Sequence, residues 1–492
     1  MPELAGLLCG VDIGTTHIKA ALVAGDGSVV SVSKVPTPVI SDGYGPCHDP
    51  EQIRLAAEHV MCQAQREAPA PGRITAVGVT SVGEEGVPLD PRGRVLYPSI
   101  AWYDRRPSSA ERDWSARHGD EELFAVTGLH KDLGFTIFKW LWLKAAQPSA
   151  WSRCTAWLGI ADYVVWRWTG QYGMSIGHAS RTAVFDLRSF RWKEDWAAEA
   201  LPRGADALPL LHEAGSPVGF LRHGIIPGLV TEEEVPVVAT GLDHVVGAYA
   251  AGVQRPGQVL DSLGTAEALI GPVPPEHLHR ADYRLGVDYG VGILPRTHIA
   301  IASLESGAGV SGMLEVLGAT GAAERQKLES EAARLLPGAA GLTYVPPRMR
   351  TRSGGAFLGH KVTHRAADVY RAVVEGWALA ADGALSGLGD PGTPQQVTCI
   401  GGGSGSPLWM RIKASILDRE IRCLRTPEIV AAGAALLAAR AVPGSGAMAN
   451  WKPAASAVAP VPDWVPRYRV LRQEFRRLAH IVHPAAGPCV YP

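Results

Sequence analysis

Two stretches of the chain share one design: an apolar strand, a Gly-Thr turn, and a second strand immediately after. The first is LLCGVDIGTTHIKAALV, with Asp12, Gly14, Thr15 and Thr16 at its turn. The second is GQVLDSLGTAEALIG, with Asp261, Gly264 and Thr265. Apolar, β-branched runs bounded by such residues read as strands. Glycine at the turn lets backbone approach a ligand closely. One copy reads equally well as an ordinary hairpin. Two copies point to two domains of similar build, whose turns clamp a polyphosphate. At 492 residues the chain exceeds a single ordinary core. We place the boundary near Gly241, giving domains 1–241 and 242–492.

Charge narrows the partners. Lys plus Arg is 47 and Asp plus Glu is 48, so there is no general attraction to nucleic acid or anionic membrane. No run approaches the ~18 apolar residues of a membrane span. The opening MPELAGLLCGVDIG lacks the basic and apolar regions of a signal peptide. The seven cysteines are scattered, with no CxxC. That spacing argues against a zinc site and favours a reducing, cytoplasmic location.

A third strand follows the first pair after a D-G turn, and ITAVGVTSV reads as another buried strand. Helical patterns cover 105–118, 134–146 and 158–168. Ten of the fourteen tryptophans lie between Trp102 and Trp196, which suits either sugar stacking or aromatic core packing. Residues 441–466, rich in Ala and Pro, read as a loop, and RYRVLRQEFRRLAHIV as a closing amphipathic helix.

Several motifs carry chemistry. Amides and hydroxyls at Thr15 and Thr16 suit phosphate, and Asp12 at a strand end suits Mg²⁺ held through water. TGLDH places Asp243 between a strand and a helix, either as a cap or as a general base, with His244 beside it. GGGSGSP at 401–407 follows a strand and opens a helix, a context that favours anions. Gly307, Gly309 and Gly312 match GxGxxG, but the helical AAERQKLESEAARLL comes next, where a dinucleotide fold needs a strand.

Taken together, these pieces resemble the FGGY family of carbohydrate kinases along nearly the whole chain. DIGTT is similar to its first phosphate loop, and GFTIFKWLWL (134–143), with Lys139 and Trp142, to its first signature. TGLD resembles its catalytic segment, and SLGT its second phosphate loop. Gly355–Gly359 with Asp368–Glu375 resembles the second signature, with His360 where an aliphatic residue is usual. GGGSGSP resembles the adenosine loop.

The resemblance implies two ribonuclease-H-like α/β domains of the actin/hexokinase type around a cleft, with ATP and Mg²⁺ as cofactors. Asp243 would be the general base and Asp12 the metal residue. Thr15, Thr16, Gly264 and Thr265 would contact phosphates; Gly312, Gly402, Gly403 and Ser406 would line the nucleotide. The sugar side would be Glu84, Trp102, Asp104, Asp243 and His244. Many relatives are dimers, so a homodimer stays open; no self-association motif is visible.

The stretch VTSVGEEGVPLD falls on the family's substrate strip. Glycerol kinases carry Arg-Glu there and xylulokinases Met-His; this chain has Gly83 and Glu84. A carboxylate accepts hydroxyl hydrogens and repels acids. Glu84 therefore favours a neutral pentulose, hexulose or polyol, unless Arg105, Lys139 or His130 offsets its charge. The neighbouring Glu85 is expected to be structural, or a distant partner of the metal-bound water. The alternatives are a sugar-binding regulator on a kinase fold, or an NAD(P)-dependent oxidoreductase.

Overall fold

The computed structural model describes residues 5–279, 281–348, 354–388, 396–445 and 447–484. The chain forms two compact units. One gathers the described residues of Met1–Gly252, Tyr289–His298 and Thr426–Pro453; the other gathers those of Val253–Asp288, Ile299–Arg425 and Ala454–Pro492.

The first unit is built on β1 (Ala5–Ile13), β2 (His17–Ala24), β3 (Val29–Pro36), β4 (Gly72–Ser81), β5 (Pro217–Phe220) and β6 (Pro236–Leu242). Their spatial order is β5-β6-β4-β1-β2-β3. β1 to β3 form an antiparallel meander, whereas β4 and β6 run parallel to β1. Parallel neighbours need crossover connections. Helix Pro50–Glu67 lies on the first crossover, opened by the Asp49 cap, and helix Ile160–Thr169 on the second.

Both faces of this sheet are covered, which is why its strands are apolar on both sides. Leu7, Cys9 and Val11 pack with Ile53 and Ala57 of the first helix. Leu8, Ala76 and Val238 pack with the alanine-rich helix Ile429–Ala438. That helix comes within backbone contact of the sheet. A Cβ at Gly10 would stand 1.8 Å from the Ala431 carbonyl oxygen, and one at Gly78 2.0 Å from that of Ala434.

The second unit repeats the plan with β7 (Gln258–Leu263), β8 (Glu267–Val273), β9 (His298–Leu304), β10 (Gln396–Ile400), β11 (Ile421–Leu424) and β12 (Ala455–Val458). Their order is β9-β8-β7-β10-β11-β12. β7 and β8 are antiparallel, β10 is parallel to β7, β11 to β10, and β12 closes antiparallel. In both units a hairpin with a third strand beyond it is followed by two parallel strands and an antiparallel edge. This is the ribonuclease-H-like α/β layout, twice.

Some expectations shift in detail. The region read as a loop over 441–466 holds a short helix, Ala447–Asn450, and the edge strand β12. Four small residues carry too little periodicity to announce a strand; pairing with β11 makes it one. The helix expected from 105 starts at Ser108, after Pro107. Most tryptophans of the 102–196 cluster are core: Trp114, Trp140, Trp142, Trp151, Trp157 and Trp196 pack together in the first unit. The closing helix spans Val465–Val482 and buries Tyr468, Phe475 and Ala479.

Candidate active site

Parallel α/β sheets present ligands with the carboxyl ends of their strands. In the first unit the register brings two acids to that edge. Asp12 pairs with Thr80 across β1 and β4, and Gly241 pairs with the same Thr80 across β4 and β6. The two outer positions are therefore roughly 10 Å apart, two strand spacings. A register shift between Ala239 and Gly241 bends the end of β6. Gly241 takes φ 98° there, a conformation suited to glycine, and its carbonyl accepts from Thr80 Oγ1 at 2.6 Å.

Asp243 comes next, as the first residue of helix Asp243–Ala250. Leu242 holds the capping position, so capping does not explain the aspartate. Its Oδ1 accepts from the His244 backbone N–H at 2.7 Å, and both residues are half-buried.

Asp12 is buried, with Oδ2 3.5 Å from Lys19 Nζ. Lys19 also reaches Glu428 at 3.1 Å. Burial pushes the Asp12 carboxyl up to about 7; Lys19 opposes this, while the charges of Asp243 and Glu428 add to it. Its Oδ1 is buried without a hydrogen-bond partner. An orphaned carboxylate oxygen beside a second acid fits a cation or its bound water. Among the described residues no group of three or more His, Cys, Asp or Glu is arranged to hold a metal. That donor set suits Mg²⁺, which keeps most of its waters and takes one or two carboxylates.

The two Gly-Thr turns are built alike, each within its own unit. Gly14 N–H donates to His17 O at 3.1 Å, and Gly264 N–H to Ala266 O at 3.1 Å. Thr16, Gly264 and Thr265 are exposed, while Thr15 is half-buried and accepts from the Trp102 indole N–H at 2.9 Å. The GxGxxG glycines serve the second turn. A Cβ at Gly307 would lie 1.8 Å from Gly264 O, and one at Gly309 2.6 Å from the Trp377 ring. Gly312 faces open space, and helix Ala322–Ala333 comes after it.

In the glycine-rich turn after β10, Gly401 takes φ 87°, with its Cβ position 2.6 Å from Leu263 O. Gly402 is open, and Gly403 lies against Leu263. Ser406 caps helix Pro407–Leu417 by accepting from Trp409 N–H at 3.1 Å, and donates to Glu329 at 2.6 Å.

The adjacent glutamates have separate tasks. Glu84 adopts φ 68°. Its carboxylate accepts from Arg181 Nε at 2.7 Å, and its carbonyl accepts from Lys139 Nζ at 2.9 Å and Thr136 Oγ1 at 3.0 Å. Glu85 is buried; its Oε1 accepts from Trp102 N–H at 3.0 Å and its Oε2 lies 3.6 Å from His48. Burial raises the Glu85 pKa, against the pull of His48 and Lys139. Glu85 thus positions the Trp102 backbone, and Trp102 in turn bonds the phosphate turn.

Asp104 is occupied. Both its oxygens take bonds from Arg106, at 2.9 and 2.8 Å, and the Arg106 backbone N–H adds a third at 2.7 Å. The Arg106 guanidinium lies over the Trp142 ring, 5.0 Å from its centroid. The Lys139/Trp142 spacing now has a physical reading: one residue holds the Glu84 carbonyl, the other seats the arginine that fixes Asp104.

Two groups escaped sequence reasoning. Arg181, rather than Arg105, Lys139 or His130, pairs with the Glu84 carboxylate. His178 lies buried between Asp162 (3.1 Å) and Ser81 Oγ (3.2 Å). Ser81 Oγ also lies 2.8 Å from Val82 O. Burial disfavours charge on His178, but Asp162 and the bonds to both partners outweigh that and raise its pKa. Through Asp162 and Ser175 the network braces the Gly177 backbone that packs on Gly241. No local pattern marks either residue: Ser81 and Glu84 lie 97 residues away in sequence, and even Asp162 lies 16 residues from His178.

A doubled ribonuclease-H-like fold with Gly-Thr turns and acids at the strand ends defines a sugar-kinase type of ATPase. The chain belongs to the FGGY family of carbohydrate kinases: its N-terminal domain matches residues 7–250 and its C-terminal domain residues 315–442. It is a phosphotransferase of a family that phosphorylates sugars with ATP. Among curated relatives it is 26% identical to an L-fuculokinase of Escherichia coli K12, over 87% of this chain and 90% of the relative. It is 28% identical to the xylulose kinase of that strain, over 84% and 85%. The crystal structure of xylulose kinase from Rhodospirillum rubrum aligns with TM-score 0.87 at 26% identity, covering 97% of this chain and 99% of that one.

Proposed function

We propose that the chain transfers the γ-phosphoryl group of ATP to a hydroxyl of a neutral pentulose, hexulose or polyol. The observation that carries this is the pairing of Asp12 and Asp243 at the carboxyl ends of strands flanking Thr80, beside the first Gly-Thr turn. Asp243 orients the substrate hydroxyl and takes its proton as the oxygen bonds to the γ-phosphorus. The bond from that phosphorus to the bridging oxygen breaks, and ADP leaves. Such a transfer asks for positioning and charge stabilisation more than covalent chemistry.

Asp12 would hold Mg²⁺ through water; the ion, when bound, neutralises charge developing on the phosphoryl oxygens. Thr15, Thr16 and Thr265 donate to phosphate, and Gly264, whose N–H serves Ala266 O, lets the backbone approach it closely. Gly312, Gly402, Gly403 and Ser406 belong to the nucleotide side. Ser406 acts there by holding the turn, since its hydroxyl already serves Trp409 and Glu329. On the sugar side Glu84, Trp102, Asp243 and His244 face substrate, and Asp104 shapes the pocket through Arg106.

A coupled ADP-release assay over ketoses, polyols and sugar acids tests the reading. A neutral ketose or polyol should turn over fastest, with Mg²⁺ required. Turnover of sugar acids alone, or stabilisation by NAD in place of ATP–Mg²⁺ in a melting assay, would sink it. Asp12→Asn should raise the Mg²⁺ concentration needed for half-maximal rate.

A further inference from the structure

Gly83 leaves a gap in the sugar strip, and the structure shows what fills it. A Cβ built there would meet Arg181 Cγ at 3.1 Å, Arg181 Cβ at 3.3 Å and Leu242 Cδ1 at 3.0 Å. Arg181 comes from a segment 97 residues beyond Glu84, just after the short helix Ile176–Ala179. Its stem lies over Gly83, its Nε bonds Glu84 Oε1 at 2.7 Å, and its guanidinium sits 5.1 Å from the Phe135 ring centroid. Leu242, which shares the gap, immediately precedes Asp243. The guanidinium is therefore anchored by a carboxylate and an aromatic face within one small region beside the proposed base.

We propose that Arg181 is a specificity-determining residue that reads the sugar together with Glu84. This rests on the kinase reading above and names the substrate feature it selects. A guanidinium only donates and a carboxylate only accepts. Side by side they match two vicinal hydroxyls, one taken through its oxygen and the other through its hydrogen. The pair has no net charge. It gives an acid substrate no unopposed cation, and it removes the repulsion a lone Glu84 would exert. The selected class is a neutral polyhydroxy compound with adjacent free hydroxyls near the reacting one. A deoxy analogue lacking one of them leaves a buried donor or acceptor unpaired, a loss that discriminates strongly.

The test moves the guanidinium. Arg181→Ala should raise the KM of the preferred sugar about tenfold or more, the loss of a charge-assisted hydrogen bond. The KM of ATP should change less than about twofold, since the bond to Glu84 lies on the proposed sugar side. Adding Gly83→Arg to Arg181→Ala should recover part of the sugar affinity, because the new side chain grows into the vacated space. A residue that only supports the fold would not be rescued this way.

Arg181→Lys, which keeps the charge on Glu84, covers the case in which the alanine variant does not fold. It should melt like the parent chain yet show an intermediate sugar KM and weaker discrimination against deoxy analogues. An unchanged sugar KM in Arg181→Lys, parallel loss of sugar and ATP affinity in Arg181→Ala, or a well-folded double variant that regains nothing overturns the proposal. A parent chain that turns over no sugar in the panel removes the kinase reading beneath it. An active parent whose sugar KM ignores Arg181 removes this inference alone.

Discussion

The indole N–H of Trp102 donates to the hydroxyl of Thr15 at 2.9 Å, joining the proposed sugar strip to the first phosphate turn. Glu85 holds the same tryptophan by its backbone. Trp102→Phe deletes the bond and keeps most of the ring. It should lower kcat and raise the KM for sugar and ATP together. Thr15→Val removes the same bond from the other side. A double-mutant cycle on kcat/KM should return a coupling of about 1 kcal/mol; strict additivity would show that the contact carries no function.

Asp243 stands at the start of its helix without serving as its cap. Asp243→Asn keeps the shape and removes the base. Turnover should fall by at least about a hundredfold, the lower range of general-base catalysis. ATP–Mg²⁺ should still raise the melting temperature as in the parent. Near-normal turnover would remove Asp243 from the mechanism.

Lys139 is wholly buried, and burial lowers its pKa to about 8, against the opposing charges of Glu85 and Glu84. Below pH 8 the folded and unfolded chains both hold this proton, and the cost of burying the charge is felt in full. Between pH 8 and the ordinary value of 10.5 the folded chain has released it while the unfolded chain keeps it, so stability from this group rises with pH. Lys139→Met removes that rise. Urea unfolding at several pH values should show the parent gaining up to about 3 kcal/mol on the variant across this window. A pH-independent difference would mean that folding leaves the pKa of this amine at its ordinary value.

Gly10 and Gly78 allow the alanine-rich helix to touch the sheet. Gly10→Ala places a methyl group 1.8 Å from the Ala431 carbonyl oxygen, so the helix must shift. The cost should exceed the roughly 1–3 kcal/mol typical of overpacking. Melting of the purified variant would check this; an unchanged melting temperature would contradict the packing described.

The strand–turn–strand repeat, the helix after the glycine-rich turn at 401–407 and the GxGxxG false lead were all legible along the chain. Each is a local matter of periodicity, turn residues and the type of the adjoining segment. Asp12 and Asp243 were legible as candidates for the same reason: each sits where a strand ends. The fold alone assigned partners. Gly83 looked like an empty place in the sequence, and the fold brings Arg181 onto it. Glu84 looked like a negative charge for Arg105, Lys139 or His130 to offset, and it is Arg181 that neutralises it. Glu84 and Glu85 already read apart in the sequence, and the fold supplies their partners, Arg181 for the first and Trp102 for the second. Helix Ile429–Ala438, far along the chain, packs on the first unit's sheet because its small residues match Gly10 and Gly78. The amino-acid order determined which elements form, since that depends on neighbours a few residues apart. Which side chains meet, and hence which charge faces a sugar, depends on contacts between residues far apart along the chain, 97 positions for Glu84 and Arg181, and only the tertiary structure decides those.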